Sequence, residues 1–180
     1  MTALLRFERV ALMRGGRLLF EDLDLALAPG EALLVRGPNG SGKSSLIRLA
    51  AGLLDPAAGR VERCAVALAD EHHALDRELP LGRALAFWGG DSLDELGIAH
   101  LRDVPVRLLS SGQRNRAALA RVAGSNARLW LLDEPLNALD GDGGERLQAV
   151  IARHLAAGGA VLAASHQPIA GIERTLELGA

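Results

Sequence analysis

One cysteine, Cys64, is all the thiol chemistry this chain carries. A disulfide framework is therefore excluded, and a reducing compartment is the natural expectation. Set in the apolar run Cys64-Ala65-Val66-Ala67-Leu68, that cysteine reads as a small buried hydrophobe. An excess of one charge is also lacking. The 20 Lys and Arg against 22 Asp and Glu leave a net charge of -2, with no block of either sign. That removes the electrostatic case for nucleic acid as a partner. No uninterrupted apolar run reaches the roughly 18 residues a membrane-crossing helix needs. No transmembrane segment of its own is expected, so a role at a membrane would need another chain to supply the span. The N-terminal stretch through Arg9 mixes charge into its apolar residues and has no signal-peptide layout. Internal repeats, low-complexity segments and linkers are missing as well. With 180 residues, 49% apolar and 23% charged, the chain can bury one sizeable core, so residues 1–180 are expected to form a single domain.

Against these absences stands Gly37-Pro38-Asn39-Gly40-Ser41-Gly42-Lys43-Ser44, which fits the phosphate-binding pattern G-x-x-x-x-G-K-[ST] at every fixed position. Its surroundings fit too. The run Ala32-Leu33-Leu34-Val35 reads as a strand buried on both faces. Beyond the loop, Leu46, Ile47, Leu49 and Ala50 recur at helical spacing until Gly52 offers a stop. Glycines in such a loop permit turns that turn consecutive N–H groups toward one phosphate, and the helix that follows aims its positive end at the same point. Lys43 would reach the β- and γ-phosphates, and the Ser44 hydroxyl would ligate Mg²⁺.

Before the loop, Leu5/Phe7 and Asp22 to Leu27 alternate with period two, Arg14-Gly15-Gly16-Arg17 is a hairpin turn, and Pro29-Gly30 turns into the strand. Short antiparallel strands are expected there. From Leu53 to Leu68 come a proline-containing loop and one or two strands. Leu81, Leu85 and Trp88, then Leu93 and Leu96, have helical spacing broken by Gly89-Gly90 and Gly97, which reads as a small insert of short helices. A helix through Val122, a strand at 129–132, a helix near 145–155 and a strand at 160–164 complete the pattern. Strands alternating with helices predict an α/β P-loop fold with a mainly parallel sheet core, an N-terminal antiparallel β flap and a helical insert at about 75–122.

Leu129-Trp130-Leu131-Leu132-Asp133-Glu134 is an apolar strand that delivers two carboxylates at its C-terminal end, where α/β ligand sites lie. Asp133 suits Mg²⁺, through its shell or a water, and Glu134 suits a general base or water-orienting role. Leu109-Ser110-Ser111-Gly112-Gln113 precedes a helix rich in Ala, Leu and Arg, which Ser110 can cap, and its free N–H groups offer an anion site.

The phosphate loop, Leu-Ser-Ser-Gly-Gln, Asp133-Glu134-Pro135, Ala138-Leu139-Asp140 and Ser165-His166 follow one another in that order. The ensemble resembles the nucleotide-binding subunit of ATP-binding cassette (ABC) transporters over nearly the full chain. The resemblance implies an ATPase using ATP and Mg²⁺, in which two copies pair head to tail. ATP would be held by residues Gly37, Pro38, Asn39, Gly40, Ser41, Gly42, Lys43, Ser44 and Ser45 of one copy. It would also be held by Ser110, Gly112 and Gln113 of the other, with Asp140 crossing the interface. Lys43, Glu134 and His166 would be the catalytic set, with His166 holding Glu134 and the water in line, and Ser44 and Asp133 the metal set.

Three positions depart from that pattern. Ser111 stands where the family usually has Gly. The loop Ala69-Asp70-Glu71-His72-His73 lacks the usual Gln that touches Mg²⁺, so Glu71 or His72 is the expected occupant. No aromatic is placed to stack on adenine; Met13 or Arg14 lies near that position. Within the family, Arg14 to Arg17, Leu19-Phe20, the short insert and Ser165-His166-Gln167-Pro168 look like the subunits serving c-type cytochrome biogenesis. That implies a peripheral protein on the cytoplasmic face of a bacterial inner membrane with integral CcmB/CcmC-like partners. ATP would there energise haem export or release of a haem-loaded chaperone. Another transporter of unknown substrate and a weakly hydrolysing, nucleotide-gated module are the competing expectations. Haem ligation by the chain itself is not expected, because adjacent His72 and His73 point apart and no C-x-x-C-H pattern occurs.

Overall fold

The computed structural model describes residues 3–89 and 92–179; Gly90, half of the expected Gly89-Gly90 break, lies outside them. β1 (Leu5–Arg14) and β2 (Arg17–Leu27) pair antiparallel across Gly15 and Gly16, both at positive φ. β4 (Ala58–Arg63) joins the other edge of β1 to give the order β2-β1-β4. These strands run to 10 and 11 residues, longer than expected. Left-handed backbone at Arg9 and Asp22 absorbs register shifts, so the ladder continues past them.

The second sheet contains β3 (Ala32–Arg36), β5 (Val66–Ala69), β6 (Leu129–Asp133), β7 (Ala160–Ala164) and β8 (Thr175–Glu177). Its order is β5-β6-β7-β3-β8, and every pairing is parallel. Helices α1 (Lys43–Ala51), α2 (Leu81–Ala86), α3 (Ser111–Ala123) and α4 (Gly141–Ala156) accompany it. Period-two alternation divides the core in two. Leu34, Trp130, Leu132, Val161 and Ala163 face one way, toward residues of α2, α3 and α4. Leu33, Val35, Leu129, Leu131, Ala160 and Leu162 face the other, toward α1 and the antiparallel flap.

Between β5 and α3 lie α2 and two single 3₁₀ turns, at 99–101 and 106–108. Arg121, 6% exposed, ties this region to the sheet. Its guanidinium sits 4.6 Å over the Trp88 ring, and its Nη2 donates to the Leu68 carbonyl. Helix α4 starts at Gly141, ahead of the expected 145, because Asp140 caps it. The glycines at 141, 143 and 144 give no helical signal of their own. Cys64 is only partly buried, in the bend between β4 and β5, so the expectation of a buried cysteine is corrected.

The strand order fixes the site. With β7 between β3 and β6, the carboxyl ends of these three strands carry the phosphate loop, Ser165-His166 and Asp133-Glu134 to one edge.

Candidate functional site

The loop from Gly37 to Gly42 is built by backbone that side chains would block. Gly37, Gly40 and Gly42 have φ of 143, 80 and 106°. A Cβ on Gly37 would collide with the Leu178 carbonyl and stand 2.8 Å from Ser41 Oγ. Lys43, 7% exposed, opens α1 and folds back over the loop. Its Nζ donates to the carbonyls of Gly37 (2.9 Å) and Pro38 (3.1 Å). Beside it the Ser44 hydroxyl donates to Asp133 Oδ1 at 3.0 Å. Burial pushes the Asp133 carboxyl above its ordinary range; the Ser44 bond opposes this and the Glu134 charge adds to it. Ser41 Oγ is buried with no hydrogen-bond partner among the described residues, an unsatisfied hydroxyl within the cradle.

Glu134 sits at φ 48°, and its N–H donates to the Ala164 carbonyl at 2.8 Å, which fixes it to the end of β7. From there its carboxylate meets His166 twice. His166 Nε2 lies 3.3 Å from Oε1, and the His166 backbone N–H donates to Oε2 at 3.4 Å. A cleft of about 510 Å³ joins these parts, with Lys43, Ser44, Ser45, Glu134 and His166 in its wall. Arg14 and Leu19 line its rim, whereas Met13 is 51% exposed and lines none of it.

A neighbouring cleft of about 470 Å³ reaches Ser44, Asp133 and Glu134 from the other side. Its far wall holds Asp70, Glu71 and His73 from the loop after β5, with Arg48, Arg114 and Asn115. Glu71 pairs with Arg48 at 2.8 Å. His72 faces a different cleft, with Leu53 and Trp88, and so leaves this wall to Glu71 and its neighbours. Asp70 and His73 were not legible as site residues, because left-handed backbone at His73 and Ala74 (φ 54 and 51°) turns the loop. Burial, then the Arg114 charge, lowers the His73 pKa, favouring a neutral ring.

The Ser110–Gln113 turn is a reciprocal cap on α3. The Gln113 N–H donates to Ser110 Oγ (3.2 Å) and the Ser110 N–H to Gln113 Oε1 (2.8 Å). A Cβ on Gly112 would strike the Ala138 carbonyl. Asp140 accepts from the Gly143 N–H at 2.9 Å and pairs with Arg116, and both hold its carboxyl below the usual range. Ser110, Gly112, Gln113 and Asp140 share a third cleft of about 440 Å³, which none of the phosphate-loop residues lines. The chain thus brings Lys43, Ser44, Asp133, Glu134 and His166 together and holds Ser110, Gly112, Gln113 and Asp140 in a separate cleft, with Ser111 between the two, lining both that cleft and the one that reaches Asp133.

A family model described as ABC transporter matches residues 20–137. The chain belongs to the ABC transporter family. Similar curated relatives include several described as "Cytochrome c biogenesis ATP-binding export protein CcmA". That of Sphingopyxis alaskensis is 57% identical over 94% of this chain and 93% of its own length. That of Novosphingobium aromaticivorans is 56% identical over 94% and 91%. The solved ATP-binding subunit of an ABC transporter superposes with a TM-score of 0.87 at 21% identity, covering 97% of this chain and 85% of that one. The cbiO1 protein of Clostridium perfringens superposes with a TM-score of 0.78 at 22% identity, over 98% and 84%. These two show the same α/β P-loop fold. As an ABC ATPase domain, the chain binds ATP.

Proposed function

We propose that two copies of this chain close head to tail over two ATP molecules and hydrolyse them to drive a membrane complex. In that complex they energise haem export, or release of a haem-loaded chaperone, in c-type cytochrome biogenesis. The observation that carries the first part is the split site. The phosphate loop with Glu134 and His166 occupies one cleft, and Ser110, Gly112 and Gln113 of the capped turn occupy another on the same chain. A second copy turned end for end would set one against the other. Residues 1–180 are one nucleotide-binding domain in this reading, with the helical insert at about 75–122.

The chemistry of the residues supports each role. The Gly37–Gly42 backbone and the start of α1 would cradle the phosphates, and Lys43 would exchange its two carbonyl partners for phosphate oxygens. The Ser44 hydroxyl and Asp133 carboxylate are hard oxygen donors 3.0 Å apart, which fits Mg²⁺. Bound there, the ion would neutralise charge on the β- and γ-phosphates. Glu134, aligned by His166, would take a proton from water as the water oxygen bonds to the γ-phosphorus and the β–γ bridging bond breaks.

The c-type cytochrome reading rests on the description shared by the relatives at 57 and 56% identity. No helix among the described residues is long and apolar enough to cross a membrane, so the span would come from CcmB/CcmC-like partners at the cytoplasmic face. An exposed apolar patch supports such a partner. Leu53 and Trp88 line a cleft of about 390 Å³, and Phe87, 83% exposed, meets Trp88 edge-on at 5.2 Å.

Glu134→Gln tests the dimer. It removes the proton acceptor while keeping the shape, so ATP is expected to bind and trap two copies together. Light scattering that finds only monomer with ATP and this variant overturns the proposal.

A further inference from the structure

Arg116 lies on α3 just beyond the Ser110–Gln113 turn, and its side chain is 11% exposed. Two carboxylates receive it. Nη2 pairs with Asp140 Oδ1, while Nη1 donates to Asp142 Oδ2 at 2.9 Å and to the Leu96 carbonyl at 3.2 Å. The guanidinium rests on the first turn of α4, where a Cβ on Gly143 would stand 2.9 Å from its Nε and 3.0 Å from its Nη2. The preceding residue makes a parallel attachment. Asn115 Nδ2 donates to the carbonyls of Pro135 (2.9 Å) and Asn137 (2.7 Å).

What these bonds hold is weak by itself. α4 opens Gly141-Asp142-Gly143-Gly144, and glycine is the poorest helix former after proline. The Asp140 cap on Gly143 and the Arg116 bridge across Asp140 and Asp142 supply order the sequence of that turn lacks. Gly141 and Gly144 have helical backbone and nothing within 4 Å of a Cβ, so packing does not require glycine at either position.

We propose that Arg116 is a positioning residue that makes the Ser110–Gln113 turn and the Asp140 segment one rigid unit, by ordering the glycine-rich start of α4. This rests on the head-to-tail reading above, in which both pieces face the other copy together. Ordering α4 thereby sets how well a bound nucleotide is clasped, without touching the phosphate loop that first binds it.

The test is Arg116→Ala alone and combined with Gly141→Ala/Gly144→Ala, read by steady-state turnover and by binding of a fluorescent ATP analogue to monomer. Arg116→Ala is expected to lower kcat about tenfold or more, since small misplacements of a site are costly. Monomer affinity for the analogue stays within about twofold. The two alanines restore helix propensity and should return at least about threefold of the lost turnover. Wild-type turnover in Arg116→Ala, or no recovery in the triple variant, overturns the inference. Should Arg116→Ala not fold, Arg116→Lys keeps the charge but cannot bridge both carboxylates. An intermediate loss rescued by the same alanines then supports the inference, and full turnover overturns it. A Glu134→Gln chain that forms no ATP-dependent dimer sinks the head-to-tail reading, and this inference with it. A dimer that forms equally well without Arg116 sinks this inference alone.

Discussion

Ser110 separates the two jobs its position could do, holding a helix and meeting a phosphate. Its hydroxyl accepts from the Gln113 N–H at 3.2 Å, and the reciprocal bond to its own N–H is 2.8 Å. Ser110→Ala loses the first bond and keeps the second, a cap loss of about 1 kcal/mol. For a domain of this size that lowers Tm by about 2–4 °C. Ser110→Asp behaves differently. Aspartate caps as well as serine, and its charge suits the positive end of α3, so stability should match or exceed wild type by up to about 1 kcal/mol. A carboxylate there would, however, repel the γ-phosphate. At about 4 Å and an effective dielectric near 20, one pair of unit charges costs about 4 kcal/mol, close to a thousandfold in clasping. Calorimetry and ATP turnover on the two variants decide the matter. Alanine should be less stable and partly active; aspartate should be stable and inactive. An aspartate variant that hydrolyses ATP like wild type would refute the reasoning, because the turn would then face no phosphate.

Asp133→Asn should raise Tm at pH 7 while abolishing magnesium-dependent turnover. Burial raises the Asp133 pKa, so the folded state binds its proton more tightly and loses stability as pH rises above the ordinary carboxylate range; a Tm below wild type would contradict this. His154 carries the opposite sign. Its ring stacks on Trp130 at 3.7 Å and 10°, and burial lowers its pKa against the pull of backbone bonds at Ala160 and Arg128. Stability is then complete above about pH 6.5 and falls as pH drops below it, where only the unfolded ring protonates readily. His154→Phe keeps the stack and should flatten the fall in Tm from pH 7 to 5, leaving the slope due to His73. Identical slopes in the two proteins would refute it.

Much of the fold was legible because local signals agreed with one another. The glycine pattern, the apolar strands at β3, β6 and β7 and the helical spacing after Lys43 all point to one parallel sheet. Where the reading stopped short, the missing signal was tertiary. β8 has three residues with no periodicity and pairs only because β3 offers an edge. The start of α4 was hidden by glycines whose helix depends on Asp140 and Arg116. The loop after β5 was ambiguous because two left-handed residues decide which side chains face Asp133. Sequence order alone could not say that Ser110 and Lys43 occupy separate clefts of one chain.

Mixing two disabled copies tests that separation most directly. In a Glu134→Gln background, Lys43→Ala spoils the phosphate loop and Ser110→Asp spoils the turn, so neither variant alone should dimerise with ATP. An equimolar mixture retains one intact pairing, the loop of the second copy against the turn of the first. Light scattering and nucleotide counting should find a heterodimer holding one ATP for every two chains. A mixture that stays monomeric while the Glu134→Gln parent dimerises would contradict a site shared between copies.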